Sequence, residues 1–178
     1  MEEIEVPTEK IQEDINEKAM ESRERWTMSV ALTSAILAAF AAVTALMSGH
    51  HSNEAMIEQL QASDQWGYYQ AKGIKSAILN SKIQTLQALG KSIAKADQDK
   101  ADQYAGDQEE IKEKAAELEK SASQHLKRHL VLARGVTLFQ VAIAVAAISI
   151  LTRRRRYFTV SLCFGLCGLA FLIQDILL

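Results

Sequence analysis

Three uncharged apolar stretches interrupt an otherwise polar chain, and together they predict three membrane-crossing helices. Residues 26–48 (WTMSVALTSAILAAFAAVTALMS) carry no charge. As a helix rising about 1.5 Å per residue they are long enough for the roughly 30 Å hydrocarbon core of a bilayer. Residues 130–152 form the second stretch, with Arg134 close enough to its start to snorkel toward the headgroups. Residues 157–178 form the third, whose one charged side chain, Asp175, is expected in the far interface with the C-terminal carboxylate emerging beside it. Between the last two stretches stand Arg153, Arg154, Arg155 and Arg156. They predict a tight loop at residues 153–156, because an arginine at mid-bilayer costs about 2.5–3.5 kcal/mol on insertion scales.

The polar segments are helical in pattern too. The single proline is Pro7, so no later residue forces a helix to break. The expected fold is therefore all-α, an integral membrane protein with three transmembrane helices and a long extramembrane helical hairpin, coiled-coil-like, at residues 49–129. Tyr104, Gln108, Ile111, Ala115, Leu118, Ala122, His125, His129 and Leu132 follow alternating steps of four and three, a heptad-like stripe on the returning arm. Ile74, Ile78, Leu79, Ile83, Leu86, Leu89 and Ile93 are the expected counterparts on the outgoing arm. The acidic, polar stretch around Asp97, Asp99, Asp102, Gly106 and Asp107 is expected to hold the turn. Arms at 52–96 and 101–129 are then unequal by roughly 24 Å at the helical rise. A bend at Gly49 or Gly73 absorbs the excess, or residues 50–70 lie on the membrane with Met56, Ile57, Leu60 and Trp66 dipping into it, or neighbouring subunits cover it.

Averages conceal this segregation: 24% of residues are charged and mean hydropathy is −0.04. Residues 1–25 hold nine acids against four bases, and 49–129 hold twelve against eleven. Lys18, Arg23 and Arg25 precede the first span, and no Lys or Arg follows it until Lys72. With the arginine tetrad, this predicts a cytoplasmic N-terminal segment (1–25) and an extracytoplasmic hairpin and C-terminus. Lys120, Lys127 and Arg128 sit on the predicted outer side, in a segment too long to follow the rule strictly. Trp26, Tyr157 and Phe158 fall at the cytoplasmic interface. A long acidic leader marks the first span as an uncleaved anchor rather than a secretory signal. Ile4, Ile11 and Ile15 are spaced for an amphipathic cytoplasmic helix.

The stretch ASDQWGYYQAKGIK, residues 62–75, is the most distinctive. Asp64, Tyr68 and Lys72 share one helix face at four-residue steps; Trp66, Tyr69, Gln70 and Gly73 share another. In one reading this is a polar-aromatic contact surface, carried by Asp64, Gln65, Trp66, Tyr69, Gln70 and Lys72, for a partner subunit, a lipid headgroup or a peptide. In the other, Trp66 and Tyr69 anchor the hairpin to its return arm or to the interface, and Asp64 and Lys72 make intersubunit ion pairs. The run Ser63, Asp64, Gln65, Trp66, Tyr69, Gln70, Ala71, Lys72, Ile74 and Lys75, with the later GVTLFQVAIAVAAISILTRRRR, resembles a bacterial membrane protein family catalogued as domain of unknown function 4337. The resemblance covers nearly the whole chain. It implies a three-span protein of the bacterial inner membrane and no reaction; Gly67 and Gly73 occupy variable slots of the motif.

Candidate chemistry beyond the motif is sparse. His50 and His51 follow the first span, and His125 and His129 precede the second at a spacing that puts both on one helix face. That pair is a candidate zinc or copper site, with His50 and His51 as further ligands, or a pH sensor. Cys163 and Cys167 read as small packing residues of the third span. No nucleophile with a neighbouring histidine, phosphate-binding glycine loop or paired carboxylates occurs in the motif, so no enzyme, no cofactor and no nucleic-acid partner is expected. Ala31, Ala35 and Ala39, then Ser34, Ala38 and Ala42, and Ala142 with Ala146 repeat at four-residue steps that suit close helix packing, within one chain or between copies. The expected function is a non-catalytic scaffold or interaction protein that forms a homo-oligomer, binds anionic lipid at the arginine loop and has an unidentified protein partner. The alternative is a channel or transport accessory whose pore lining would draw on Thr33, Ser34, Thr44, Thr137, Gln140 and Ser149.

Overall fold

The computed structural model describes residues 8–22 and 25–177. Among them the chain forms four helices: α1 (Thr8–Ser22), α2 (Arg25–Ala88), α3 (Lys95–Thr152) and α4 (Arg155–Leu177). The last three are long and apolar enough to cross a membrane. Contacts divide the chain into two units, Met1–Ser52 with Leu126–Leu178, and Asn53–His125.

The first unit is a helical bundle. On α2 Thr27, Val30, Ser34, Leu37, Ala41, Thr44, Ser48 and His51 are buried, a run of alternating three- and four-residue steps, with Ala31 buried beside them. Leu132, Phe139, Ala142, Ala146 and Ser149 on α3, and Ser161, Gly165, Gly168, Leu172 and Asp175 on α4, keep the same rhythm. A 3.5-residue repeat holds a stripe toward its neighbours along the whole length, whereas four-residue steps drift about 40° each. Ala35, Ala39 and Ala42 are accordingly exposed while Ala31 and Ser34 are buried; Ala142 and Ala146 both reach the core as their spacing predicts. The core is small-residue contact around Phe139, which stacks on Phe40 at 6.1 Å. Glycines let α3 and α4 meet: a Cβ on Gly168 would stand 3.0 Å from the Phe139 ring and 3.2 Å from the carbonyl oxygen of Gly135.

Ser34, Thr44 and Ser149, three of the few polar residues inside the spans and a poor pore lining by sequence, are wholly buried within this bundle. The Oγ of Ser34 donates to the carbonyl of Ala31, that of Thr44 to Phe40, and that of Ser161 crosses from α4 to the carbonyl of Ala142 at 2.7 Å. Ile11 and Ile15 of α1 pack on the same core, and Gln12 donates to Ser34 at 3.1 Å, so the amphipathic N-terminal helix finds its apolar surface in its own chain. Ile4 and Arg23 lie outside the described residues.

At one end of the bundle the arginine tetrad makes a shorter link than its length suggests. Only Arg153 and Arg154 separate α3 from α4; Arg155 and Arg156 begin α4. Arg153 takes φ 53°. Its N–H bonds to the carbonyl of Ile150, and that of Arg154 to Ser149, the paired bonds of a Schellman end in which glycine usually fills the left-handed position. All four arginines are exposed, and the Arg155 guanidinium lies 5.8 Å from the Trp26 ring.

The second unit is an antiparallel hairpin whose turn falls earlier than the acidic stretch suggested. α2 ends at Ala88, Gly90 takes φ 65°, and Lys91 N–H returns to the carbonyl of Leu86. The predicted turn region, Asp97 to Asp107, is helical. Arms running from Asn53 to Ala88 and from Lys95 to His125 are nearly equal, so no excess length needs absorbing. α2 passes unbroken through Gly49, Gly67 and Gly73.

Candidate interaction surface

Along the outgoing arm the buried and half-buried series is Ala55, Glu58, Ala62, Gln65, Tyr69, Lys72, Ser76, Leu79, Ile83 and Leu86, again in steps of three and four. Along the returning arm it is Asp97, Ala101, Tyr104, Gln108, Ile111, Ala115, Leu118, Ala122 and His125. The returning stripe is the one its spacing predicts. The outgoing one differs, since Ile74 and Ile78 are 62% and 67% exposed and face away from the return arm. Leu79, Ile83 and Leu86 do face it.

Polar pairs hold the register. Ser121 Oγ donates to Glu58 Oε1 at 2.8 Å, Lys72 Nζ to Asp107 Oδ2 at 2.6 Å, and Lys82 Nζ to Asp97 Oδ2 at 2.7 Å. From 58 to 72 the outgoing arm advances as many residues as its partner retreats from 121 to 107, and the same holds from 72 to 82 against 107 to 97. The two arms therefore run antiparallel without a slip.

The motif residues divide between this seam and the surface. Lys72 sits between two tyrosines, 5.4 Å from the Tyr68 centroid and 5.2 Å from that of Tyr104, an arrangement that favours an ammonium electrostatically. The hydrogen bond it donates to Asp107 holds its pKa above the ordinary 10.5, against the opposing effect of burial. Trp66 Nε1 donates to Glu119 Oε1 across the arms at 2.8 Å, and its ring meets Tyr69 edge-on at 5.6 Å. Gln65 and Tyr69 are half-buried in the seam; Asp64 and Gln70 are exposed. Trp66 thus anchors the return arm, and Lys72 pairs within the chain through Asp107.

A raised folded-state pKa means that the Lys72 contribution is complete below 10.5, the unfolded value, and is lost as pH rises through the higher folded value. Thermal midpoints should fall above pH 10.5 more steeply in the unmodified protein than in Lys72→Met. Equal slopes would remove the pair from the stabilising interactions.

His129 Nδ1 lies 2.9 Å from the carbonyl oxygen of Ser48, which only accepts, so Nδ1 is the donor of that contact. His51 is buried beside the exposed His50, with ring centroids 5.5 Å apart. His125 is half-buried on the hairpin seam. Among the described residues no group of three or more His, Cys, Asp or Glu side chains is arranged to hold a metal ion.

One polar contact had no signal in the sequence. Asp175, expected in an interfacial position, is wholly buried: its Oδ1 accepts from Arg128 Nε at 2.9 Å and its carbonyl oxygen from Arg128 Nη2 at 2.8 Å. Residues 47 apart and on different helices are not linked by any periodicity.

The chain is thus an all-α protein with three helices able to cross a membrane, and its distinctive motif lies on the outgoing arm of a helical hairpin, part in the seam and part exposed. The family model described as domain of unknown function DUF4337 matches residues 26–178, and the chain belongs to that family. No curated protein and no solved structure matches it significantly.

Proposed function

We propose that this chain is a multi-pass membrane protein of the bacterial inner membrane that acts without catalysis, as a self-associating scaffold. The N-terminus and the arginine link lie in the cytoplasm, and the coiled-coil-like hairpin and the C-terminus lie outside. The observation that carries this reading is the division of labour on the outgoing arm. Its polar residues Glu58 and Lys72 are engaged in arm-to-arm bonds, while Ile74 and Ile78 of the same helix remain exposed. A helix that uses polar side chains for its internal seam and leaves aliphatic ones outside is suited to further helix contacts rather than to reactive chemistry.

Other features support the topology. Met28, Leu32, Ile36 and Leu46 on α2, and Leu162, Leu166, Ile173 and Ile176 on α4, are exposed large apolar residues, the composition lipid contact requires. Arg153 to Arg156 are exposed for anionic headgroups, each basic residue near such a surface contributing about 1 kcal/mol. Arg128, a base on the side proposed as external, is neutralised by Asp175 and weighs little against the cytoplasmic tetrad. The test is the mass of the full chain in gentle detergent by native mass spectrometry. A discrete multiple of 19.7 kDa is expected, and a monomer at every concentration would overturn the scaffold reading.

A further inference from the structure

Two residues separate α1 from α2, and the two helices lie side by side from that link inward. Gln12 stands ten residues before the end of α1 and Ser34 nine after the start of α2, and a hydrogen bond of 3.1 Å joins them. α1 therefore doubles back antiparallel along the first span. Its depth follows from the arginine link. Arg155 lies against the Trp26 ring, so Trp26 is level with the end of the bundle assigned above to the cytoplasm. Ser34 is eight residues further on, about 12 Å deeper at the helical rise. α3 gives the same answer. Asp14 lines a cleft of about 290 Å³ with Ala147, Ile148 and Leu151, all on the membrane side of Arg153. With a hydrocarbon core roughly 30 Å thick, α1 from Gln12 to Ile15 reaches well into its cytoplasmic half.

One side of α1 suits that depth and the other does not. Ile15 is buried, and Ile11 packs on the same core. Lys10, Glu13, Asp14, Asn16 and Glu17 are exposed, and the four charged ones make no ion pair among the described residues. Lipid tails cannot cover this face. They offer no hydrogen bonds to an ionised side chain, and ionisable residues at membrane depth face protein or a water-filled cavity. A single bundle supplies neither, because it carries the polar face of α1 on its outside.

We propose that this face lines a water-filled vestibule, open to the cytoplasm and walled off from lipid by further copies of the same chain. Copies related by an axis along the membrane normal share one orientation and one height, so Asp14 of every copy meets the same water at the same level. Water is needed there for a second reason. The arrangement brings acids toward acids, a repulsion that water and its ions screen and a dry helix contact does not. This inference rests on the self-association reading and adds what the assembly encloses.

The test uses full-length chains with Cys163→Ala and Cys167→Ala in inverted membrane vesicles, whose cytoplasmic face is outward, and a charged, membrane-impermeant maleimide. Asp14→Cys is compared with Ile11→Cys and Ile15→Cys on the packed side of α1, and with Leu32→Cys. Leu32 is exposed near the depth of Ser34 but lies about 200° from it around α2, facing away from α1. Asp14→Cys should react at least about tenfold faster than the other three, because the reagent attacks the thiolate, which forms in water. Differently tagged Asp14→Cys chains should also be joined to each other by a bifunctional maleimide. An unreactive Asp14→Cys overturns the vestibule by showing that lipid or protein covers the face. Ile11→Cys and Ile15→Cys both as reactive as Asp14→Cys overturn it by showing that α1 stands off the bundle. An oligomer by mass with no link between the tags overturns the enclosure and leaves the scaffold reading standing. A monomer by mass overturns both.

Discussion

Replacing Arg128 by alanine should lower the thermal midpoint of the purified protein by about 6–12 °C, the shift that about 3 kcal/mol produces in a chain of this size. The cause is the burial of its partner. Asp175 has no exposed surface, its Oδ2 has no hydrogen-bond partner among the described residues, and Arg128 supplies the bonds to Oδ1 and to the backbone carbonyl. Truncating the arginine leaves a carboxylate inside the bundle with neither oxygen partnered, and breaking a buried pair in this way costs about 3–5 kcal/mol. The Arg128 side chain is 35% exposed, which places the expected loss at the lower end of that range. The double replacement Arg128→Met with Asp175→Leu should recover most of the midpoint, because it removes the charge that needed compensation. A double variant as unstable as Arg128→Ala would mean that shape, and not charge, is what the pair supplies.

Asp175 also marks where sequence reasoning reached its limit. Apolar stretches 26–48, 130–152 and 157–178 were legible because bilayer length and lack of charge are properties of consecutive residues, and three helices able to cross a membrane follow from them. The returning arm was legible for a related reason: Ile111, Ala115 and Ala122 are apolar, and all three are buried. On the outgoing arm Gln65, Lys72 and Ser76 occupy seam positions, so hydrophobic periodicity pointed to neighbouring isoleucines that lie outside. The turn was displaced by the same effect. Asp97 and Asp107 resemble turn residues in composition, yet they are helical and accept from Lys82 and Lys72. The available signal was Gly90 directly after the last periodic apolar residue, Leu89, the place where a glycine ends a helix. Of the candidate surface, the motif itself stood out in sequence, whereas its division between seam and exterior depends on which polar side chains find partners across the hairpin.

The packing of α3 against α4 leads to a second large effect. Gly168→Leu should prevent the two helices from closing, giving a loss of about 3 kcal/mol or more, with aggregation on extraction from the membrane. Even Gly168→Ala should cost about 1–3 kcal/mol. Its Cβ would meet the Phe139 ring at 3.0 Å and the Gly135 carbonyl oxygen at 3.2 Å, and neither yields easily: Phe139 is wholly buried, and the oxygen is helix backbone. Gly165→Ala provides the contrast. There the nearest atom is a terminal methyl of Leu37 at 2.7 Å, a shorter contact but with the end of a side chain that has other rotamers. Relaxation at that site requires one torsion, whereas relaxation at Gly168 requires moving a helix. Thermal midpoints in detergent should therefore rank the natural protein above Gly165→Ala, and Gly165→Ala above Gly168→Ala. The reverse order of the two variants would show that α3 and α4 can separate at less cost than Leu37 can turn, and that the glycine crossing is not what holds this pair of helices together.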